Sequence, residues 1–231
     1  MNEVLCRSVF FGMFLTLACY EIGLLVKRKV KHAFANPLLI AVTLIILILK
    51  IFDIEYETYR SGADYIQYFL TPATVSLAVP LYRQIIFLKK YPAAILGGIA
   101  AGVLTAMVGI FLLSLAFGLD HGQYVTLLPK SITTAIGMGV SAKMGGMSAI
   151  TVIAISVTGI TGTILAEAVC RFFRIKEPVA RGLAIGTAAH ALGTSKAMEL
   201  GEVEGAMSSL AIVVAGIMTV LAVPLFAALI P

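Results

Sequence analysis

At 231 residues and 24.4 kDa the chain is long enough for one or two soluble domains, yet 60% of its residues are hydrophobic, 13% are charged and its mean hydropathy is +1.01. A soluble domain carries about 25% charged and roughly 45–50% apolar residues, so these charges are too few for a water-facing surface and the natural solvent of the chain is lipid. Disorder, collagen and coiled coil fall by the same arithmetic, and the net charge of +5 comes from short basic clusters between apolar runs, the pattern of cytoplasmic loops rather than of a nucleic-acid interface.

The first apolar run extends from Val4 to Val26. It is too long for the apolar region of a signal peptide and is followed by Lys27-Arg28-Lys29 and Lys31, so it reads as a retained span. A second run covers Pro37 to Phe52, short but spanning if Lys50 snorkels. Residues 53–64 hold Asp53, Glu55, Glu57 and Asp64 against Arg60 and read as an outer loop. An apolar stretch from Tyr65 to Leu88 is interrupted by Pro72, Pro80 and Arg83. A fourth run goes from Pro92 to Phe117, a fifth from Met147 to Val169, and a last from Ala206 to Ile230, with mixed Gly-rich segments at 122–146 and 178–205. Cys6, Cys19 and Cys170 lie in or beside apolar runs without C-x-x-C spacing and read as packing residues.

Lys and Arg in short loops set orientation. The clusters at 27–31, 83–90 and 171–181 share the cytoplasmic side, which leaves 53–64 and 118–121 outside. The fifth run then travels inward, which requires 122–146 to begin and end on the outer side as a re-entrant hairpin or pair of half-helices. By parity, 178–205 is a second such element entering from inside.

Three stretches break the hydrophobic pattern with small, hydroxylated and helix-breaking residues: 71–80, 129–139 and 186–196. At membrane depth, irregular backbone survives only when buried in protein or lining a watery cavity. Half-helices at mid-depth offer free N–H groups and positive dipole ends to anions. A weak internal repeat accompanies them: a shift of 57 residues places Pro72 on Pro129, Thr74 on Ser131, Ser76 on Thr133, Ala78 on Ala135 and Gly102 on Gly159. The alternative for each broken stretch is close helix–helix contact through small residues, which is the reading adopted for Gly97-Gly98, Gly102, Gly159 and Gly162. His190 stands between alanines inside the membrane domain, a functional candidate by position that can carry a proton or donate to a carboxylate; the plainer reading is a satisfied packing histidine. Lys196 and Glu199 are spaced to pair across one helical turn. No Ser-His-Asp order, phosphate loop or H-E-x-x-H is present, so the chain gives no enzyme signal and implies no cofactor or metal.

The run Pro72-Ala73-Thr74-Val75-Ser76-Leu77-Ala78-Val79-Pro80-Leu81-Tyr82, then Lys130-Ser131-Ile132-Thr133-Thr134, then Ala180-Arg181-Gly182-Leu183-Ala184-Ile185-Gly186-Thr187 and Glu199-Leu200-Gly201-Glu202-Val203-Glu204-Gly205-Ala206 resemble the LrgB/CidB family over nearly the whole chain. The resemblance implies an antiholin-like protein paired with a small LrgA/CidA-type membrane partner and tied to murein hydrolase activity and autolysis. It also implies a relation to carboxylate movement, pyruvate for bacterial pairs, glycolate and glycerate for a plastid relative that fuses both halves. The chain departs from the family at Ala135, commonly Pro, and at Ala189-His190-Ala191, commonly Ser-His-Gly.

The expected fold is thus all-α, a polytopic transmembrane helix bundle with broken or re-entrant helices and internal repeats, suited to an elevator-type transporter in the cell membrane. Residues 1–60 are expected to form scaffold helices and 61–231 the core. The expected function is a secondary transporter of small carboxylates, self-associated or paired with the small partner. Thr74, Ser76, Ser131, Thr133, Thr134, His190, Gly193 and Thr194 would bind substrate, and His190, Lys196 and Glu199 would couple an ion or proton. The alternative is a holin-like or antiholin-like regulator for which those side chains are dispensable.

Overall fold

The computed structural model describes residues 8, 10–30, 37–69, 72, 75, 76, 82, 89 and 92–230. Among these the secondary structure is entirely helical, and the chain divides into two units, Met1–Ser76 and Leu77–Pro231.

The first unit contains α1 (Phe11–Lys29), α2 (Pro37–Ile51) and α3 (Tyr56–Gln67). Cys19 of α1 and Ala41 and Ile45 of α2 form its small core. The two helices approach through Gly23, where a Cβ would lie 2.5 Å from the Pro37 carbonyl oxygen. The Thr16 and Tyr59 hydroxyls, 2.8 Å apart, tie α1 to α3. Lys27, Arg28 and Lys29 occupy the last turn of α1, where cations oppose the negative end of the helix dipole. The segment expected as a loop at 53–64 is instead largely helical: Arg60 stands 3.5 Å from Glu57 and 3.9 Å from Asp64, one turn away on either side, so its charges pair along a helix.

The second unit contains α4 (Pro92–Phe117), α5 (His121–Leu127), α6 (Thr134–Lys143), α7 (Ser148–Phe172), α8 (Pro178–Leu200) and α9 (Glu202–Ala227). Among the described residues, three helices are long and apolar enough to cross a membrane: α4, α7 and α9. At 1.5 Å per residue each extends roughly 38 Å, beyond the ~30 Å hydrocarbon core. The first apolar run, expected as a span, falls outside that set, because α1 carries Glu21 and its basic last turn.

α4 buries Ile95, Ile99, Val103, Met107, Ile110 and Ser114, a stripe at helical spacing. The stripe packs with Tyr124, Val125 and Leu128 of the following segment and with Met207, Leu210, Ala211, Ala215 and Val223 of α9. On the other side of α9, Val213, Ile217, Leu221 and Leu225 are all more than half exposed. An apolar stripe left uncovered over four turns fits a lipid solvent.

The short helices α5 and α6 form a hairpin. Asp120 caps α5 by accepting from the Gln123 amide at 2.8 Å, while the Gln123 side chain accepts from the Asp120 amide at 3.2 Å. At the hairpin's base, His121 contacts the carbonyl oxygens of Ile230 at 2.6 Å and Met144 at 3.3 Å, so the segment enters and leaves at one end of the bundle. Its limbs are clamped at the start of α7 by the Thr151 hydroxyl, which lies 2.9 Å from the Thr126 carbonyl and 2.7 Å from the Ser141 hydroxyl. The hairpin form expected for 122–146 is what the chain adopts.

α8 is also a hairpin, two helical limbs joined at His190. His190 takes φ 42° and ψ −134°, outside the helical region, and the chain folds back there. A Cβ at Gly193 would lie 2.8 Å from the Ile185 carbonyl oxygen, a residue some 12 Å distant along a straight helix. Gly186 and Thr194, on opposite limbs, both meet Ser208 of α9. Lys196 on the return limb pairs with Glu167 in the last two turns of α7. This second hairpin therefore enters from the end opposite the first and returns to it.

Candidate functional site

The two hairpin tips meet at the middle of α7. The His190 ring contacts the Ile155 carbonyl oxygen at 3.1 Å through Nε2. The Ile155 side chain in turn packs on Gly137 of α6, where a Cβ would lie 2.5 Å from Ile155 Cδ1. The second hairpin is seated between α4 and α7 on three glycines near the middle of those helices. Gly102 admits Thr187, Gly159 admits His190 and Gly162 admits Ala189, with added Cβ atoms 2.5–2.8 Å from their nearest atoms in these partners. This realises the close-contact reading of those glycines. Gly97 and Gly98 differ: among the described residues nothing lies within 4 Å of a Cβ placed there, and Gly98 faces open volume.

That volume is a cavity of about 880 Å³. Its polar side chains are Lys130 and Ser131 from the first hairpin's tip, Thr187 from beside the second tip, Thr105 from α4, and Thr158 and Thr161 from α7. Leu183, Ala184 and Val157 supply apolar wall. The lining extends from mid-depth toward Ala94 and Ala180, near the end that carries Arg171, Arg174 and Lys176. Toward the opposite end Ile110, Tyr124 and Val125 fill the space between α4, α5 and α9, and Tyr124 donates to the Phe226 carbonyl at 3.0 Å.

The Lys130 ammonium donates to the Ser131 hydroxyl at 3.0 Å. Among the described residues no carboxylate lines the cavity. Four acidic side chains of this unit are engaged near its ends: Asp120 caps α5, Glu167 and Glu199 meet Lys196, and Glu204 stands 3.4 Å from Arg181; Glu177 and Glu202 are exposed beside the starts of α8 and α9. The contact between Glu204 and Arg181 joins two of the motifs quoted above, the Ala180–Thr187 run and the Glu199–Ala206 run. It also places a buried carboxylate in the first turn of α9, where the helix dipole favours it.

Of the residues expected to bind substrate, Ser131 lines the cavity. Thr133 is the residue at which α6 begins and Thr134 its first residue, both half-buried at the first hairpin's tip. His190 forms the turn of the second hairpin, Gly193 its close fold-back, and Thr194 fastens it to the Ser208 hydroxyl at 2.7 Å. Ser76 belongs to the first unit, where it is exposed and donates to the Pro72 carbonyl at 2.8 Å; Thr74 lies outside the described residues. Lys196 reaches Glu199 at 3.4 Å, as its spacing predicts. The sequence reading missed Lys130, Thr105, Thr158, Thr161 and Thr187. Lys130 carried a usable signal, since an ionisable residue inside a membrane domain is a functional candidate by default. The threonines carried none, because hydroxyls are common on helix–helix contacts as well. Among the described residues no group of three His, Cys, Asp or Glu side chains is arranged to hold a metal ion.

The LrgB-like family model matches residues 16–229. The antiholin-like protein LrgB of Bacillus cereus strain B4264 is 40% identical over 218 residues, covering 94% of this chain and 95% of its own. That of Bacillus anthracis strain A0248 matches to the same extent. No solved structure matches the chain.

Proposed function

This chain belongs to the LrgB-like family, and from that premise we propose that it is an antiholin-like membrane protein whose molecular act is the carriage of small carboxylate anions. The name of its relatives supports the antiholin-like part. One observation carries the rest: two helical hairpins enter from opposite ends and turn at mid-depth beside a cavity with a cationic and hydroxylated wall. Discontinuous helices that meet at the midplane are how secondary transporters build substrate sites that can face either side. A protein that only occupies a membrane or presents a surface to a partner has no use for them.

In this reading the end carrying Arg171, Arg174 and Lys176 is cytoplasmic, and the cavity leads from that side to mid-depth. A water molecule takes about 30 Å³ in the liquid, so the cavity accommodates a two- to four-carbon acid with part of its hydration. Thr133, Thr134, His190, Gly193 and Thr194 form and hold the moving tips, and Lys196 with Glu199 and Glu167 holds the second hairpin's return limb to α7. Self-association and a small LrgA/CidA-type partner belong to the same proposal, as does residence in the cell membrane. A second reading, favoured by the relatives' name, is control of murein hydrolases without transport.

The test is uptake of labelled pyruvate, lactate, glycolate and glycerate into proteoliposomes, with and without the small partner, for wild type, Thr158→Val, Thr187→Val and His190→Ala. Saturable uptake that falls at least about tenfold in folded variants, the loss of roughly one transition-state or binding hydrogen bond, is the expected result. Absence of saturable flux under every gradient, with the partner present, establishes the second reading instead.

A further inference from the structure

The cavity carries its charge at one tip only. The 57-residue offset that aligns Gly102 with Gly159 also carries the first hairpin, 121–143, onto 178–200, the bounds of the second. It carries α4 onto α7 to within two residues at each end. The pair α4 with its hairpin and the pair α7 with its hairpin are therefore inverted repeats, since α4 and α7 run in opposite directions and their hairpins enter from opposite ends. Under this equivalence Lys130 corresponds to Thr187, and both line the cavity. A two-fold related frame thus holds a cation on one side and a neutral hydroxyl on the other.

We infer that Lys130 is the residue that selects the charge of the substrate, and that the site takes a monoanion in one orientation, its carboxylate toward Lys130 and its body toward Thr187. This rests on the transport reading for its function, though not for its binding. A half-buried ammonium gains from a counter-charge, and among the described residues the hydrogen-bond partner of Lys130 is the neutral Ser131 hydroxyl at 3.0 Å, with no carboxylate in the cavity lining. A ligand bearing one negative charge neutralises the site; one bearing two leaves a charge beside Thr158, Thr161 and Thr187, which offer hydroxyls alone. The apolar wall of Leu183, Ala184 and Val157 suits a short hydrocarbon body, and the hydroxyls suit an oxygen on it.

The experiment measures both binding, by calorimetry on detergent-solubilised full-length protein, and uptake into proteoliposomes. The probes are lactate, propionate and malonate, and the proteins are wild type, Lys130→Gln and Lys130→Arg. Wild type is expected to prefer lactate over malonate. Lys130→Gln should weaken lactate about ten- to a hundredfold, the loss of a charge-assisted hydrogen bond, and abolish the preference for one charge over two. Lys130→Arg keeps the charge and should keep the preference, which separates the effect from misfolding. Lys130-dependent lactate binding without flux in wild type upholds the assignment and refutes transport. Saturable flux whose charge preference is the same in folded Lys130→Gln overturns the assignment and leaves transport standing.

Discussion

A methyl group on Gly159 would meet Cε1 of His190 at 2.8 Å and Cδ1 of Leu192 at 2.7 Å, whereas one on Gly109 in α4 would meet nothing within 4 Å among the described residues. The two glycines are alike in the sequence, both inside long apolar helices, and the contrast lies in what packs on them. Gly159→Val should force the second hairpin off α7, at a cost of about 1–3 kcal/mol for overpacking. Gly109→Ala should be neutral or stabilise by about 0.4–1 kcal/mol through the unfolded chain. Thermal unfolding in detergent checks both, with a lower Tm expected for the first and not for the second. The same measurement applies to Thr151, fully buried between the limbs of the first hairpin. Thr151→Val removes the partner of the buried Ser141 hydroxyl and of the Thr126 carbonyl, and should cost about 1–3 kcal/mol. An unchanged Tm for Thr151→Val would mean that the clamp is not what holds the hairpin to α7.

At the scale of elements, the fold-back of α8 is the feature with the clearest consequence. Spin labels at Ala180 and Met198 would sit ~27 Å apart on a straight helix at 1.5 Å per residue. In the hairpin both limbs reach the first turn of α9, because Arg181 meets Glu204 and Met198 packs on Gly205. Pulsed dipolar spectroscopy should therefore give a separation well below 20 Å, on the order of the 8–10 Å between packed helix axes plus the label arms; a distance near the straight-helix value contradicts the fold-back. How legible each element was follows from its chemistry. The long spans announce themselves: α4 runs over the residues 92–117 marked by hydropathy, between Pro92 and Asp120. The first hairpin is also readable, from Pro129, the Gly-rich 137–146 stretch and charge parity between the flanking loops. The turn at His190 is far less so. Ala188-Ala189-His190-Ala191-Leu192 holds neither Pro nor Gly, and alanine and leucine favour continued helix. Only tertiary contact, the Ile155 carbonyl on the ring and Ser208 against both limbs, explains the positive φ there. The helical form of 56–67 was hidden for a related reason. Its charge density suits a loop, and only in the helix does Arg60 pair with residues three behind and four ahead.

For the whole molecule, the central claim is that the mid-depth cavity is reached in turn from both sides of the membrane. The 57-residue offset was visible in the sequence as a few matched residues, and the helix bounds give it weight, because they repeat where the residues do not. Inverted repeats supply two equivalent ways to pack, and exchange of the two arrangements between repeats converts a cavity that opens at one end into one that opens at the other. The measurement that tests this most directly uses Thr161→Cys, an exposed cavity position on α7, in a chain freed of its three native cysteines. A membrane-impermeant thiol reagent is applied to right-side-out and to inside-out vesicles, with and without a small carboxylate. The account predicts labelling from both sides, slowed by the carboxylate in each orientation. Labelling confined to one side, and indifferent to the carboxylate, would contradict it.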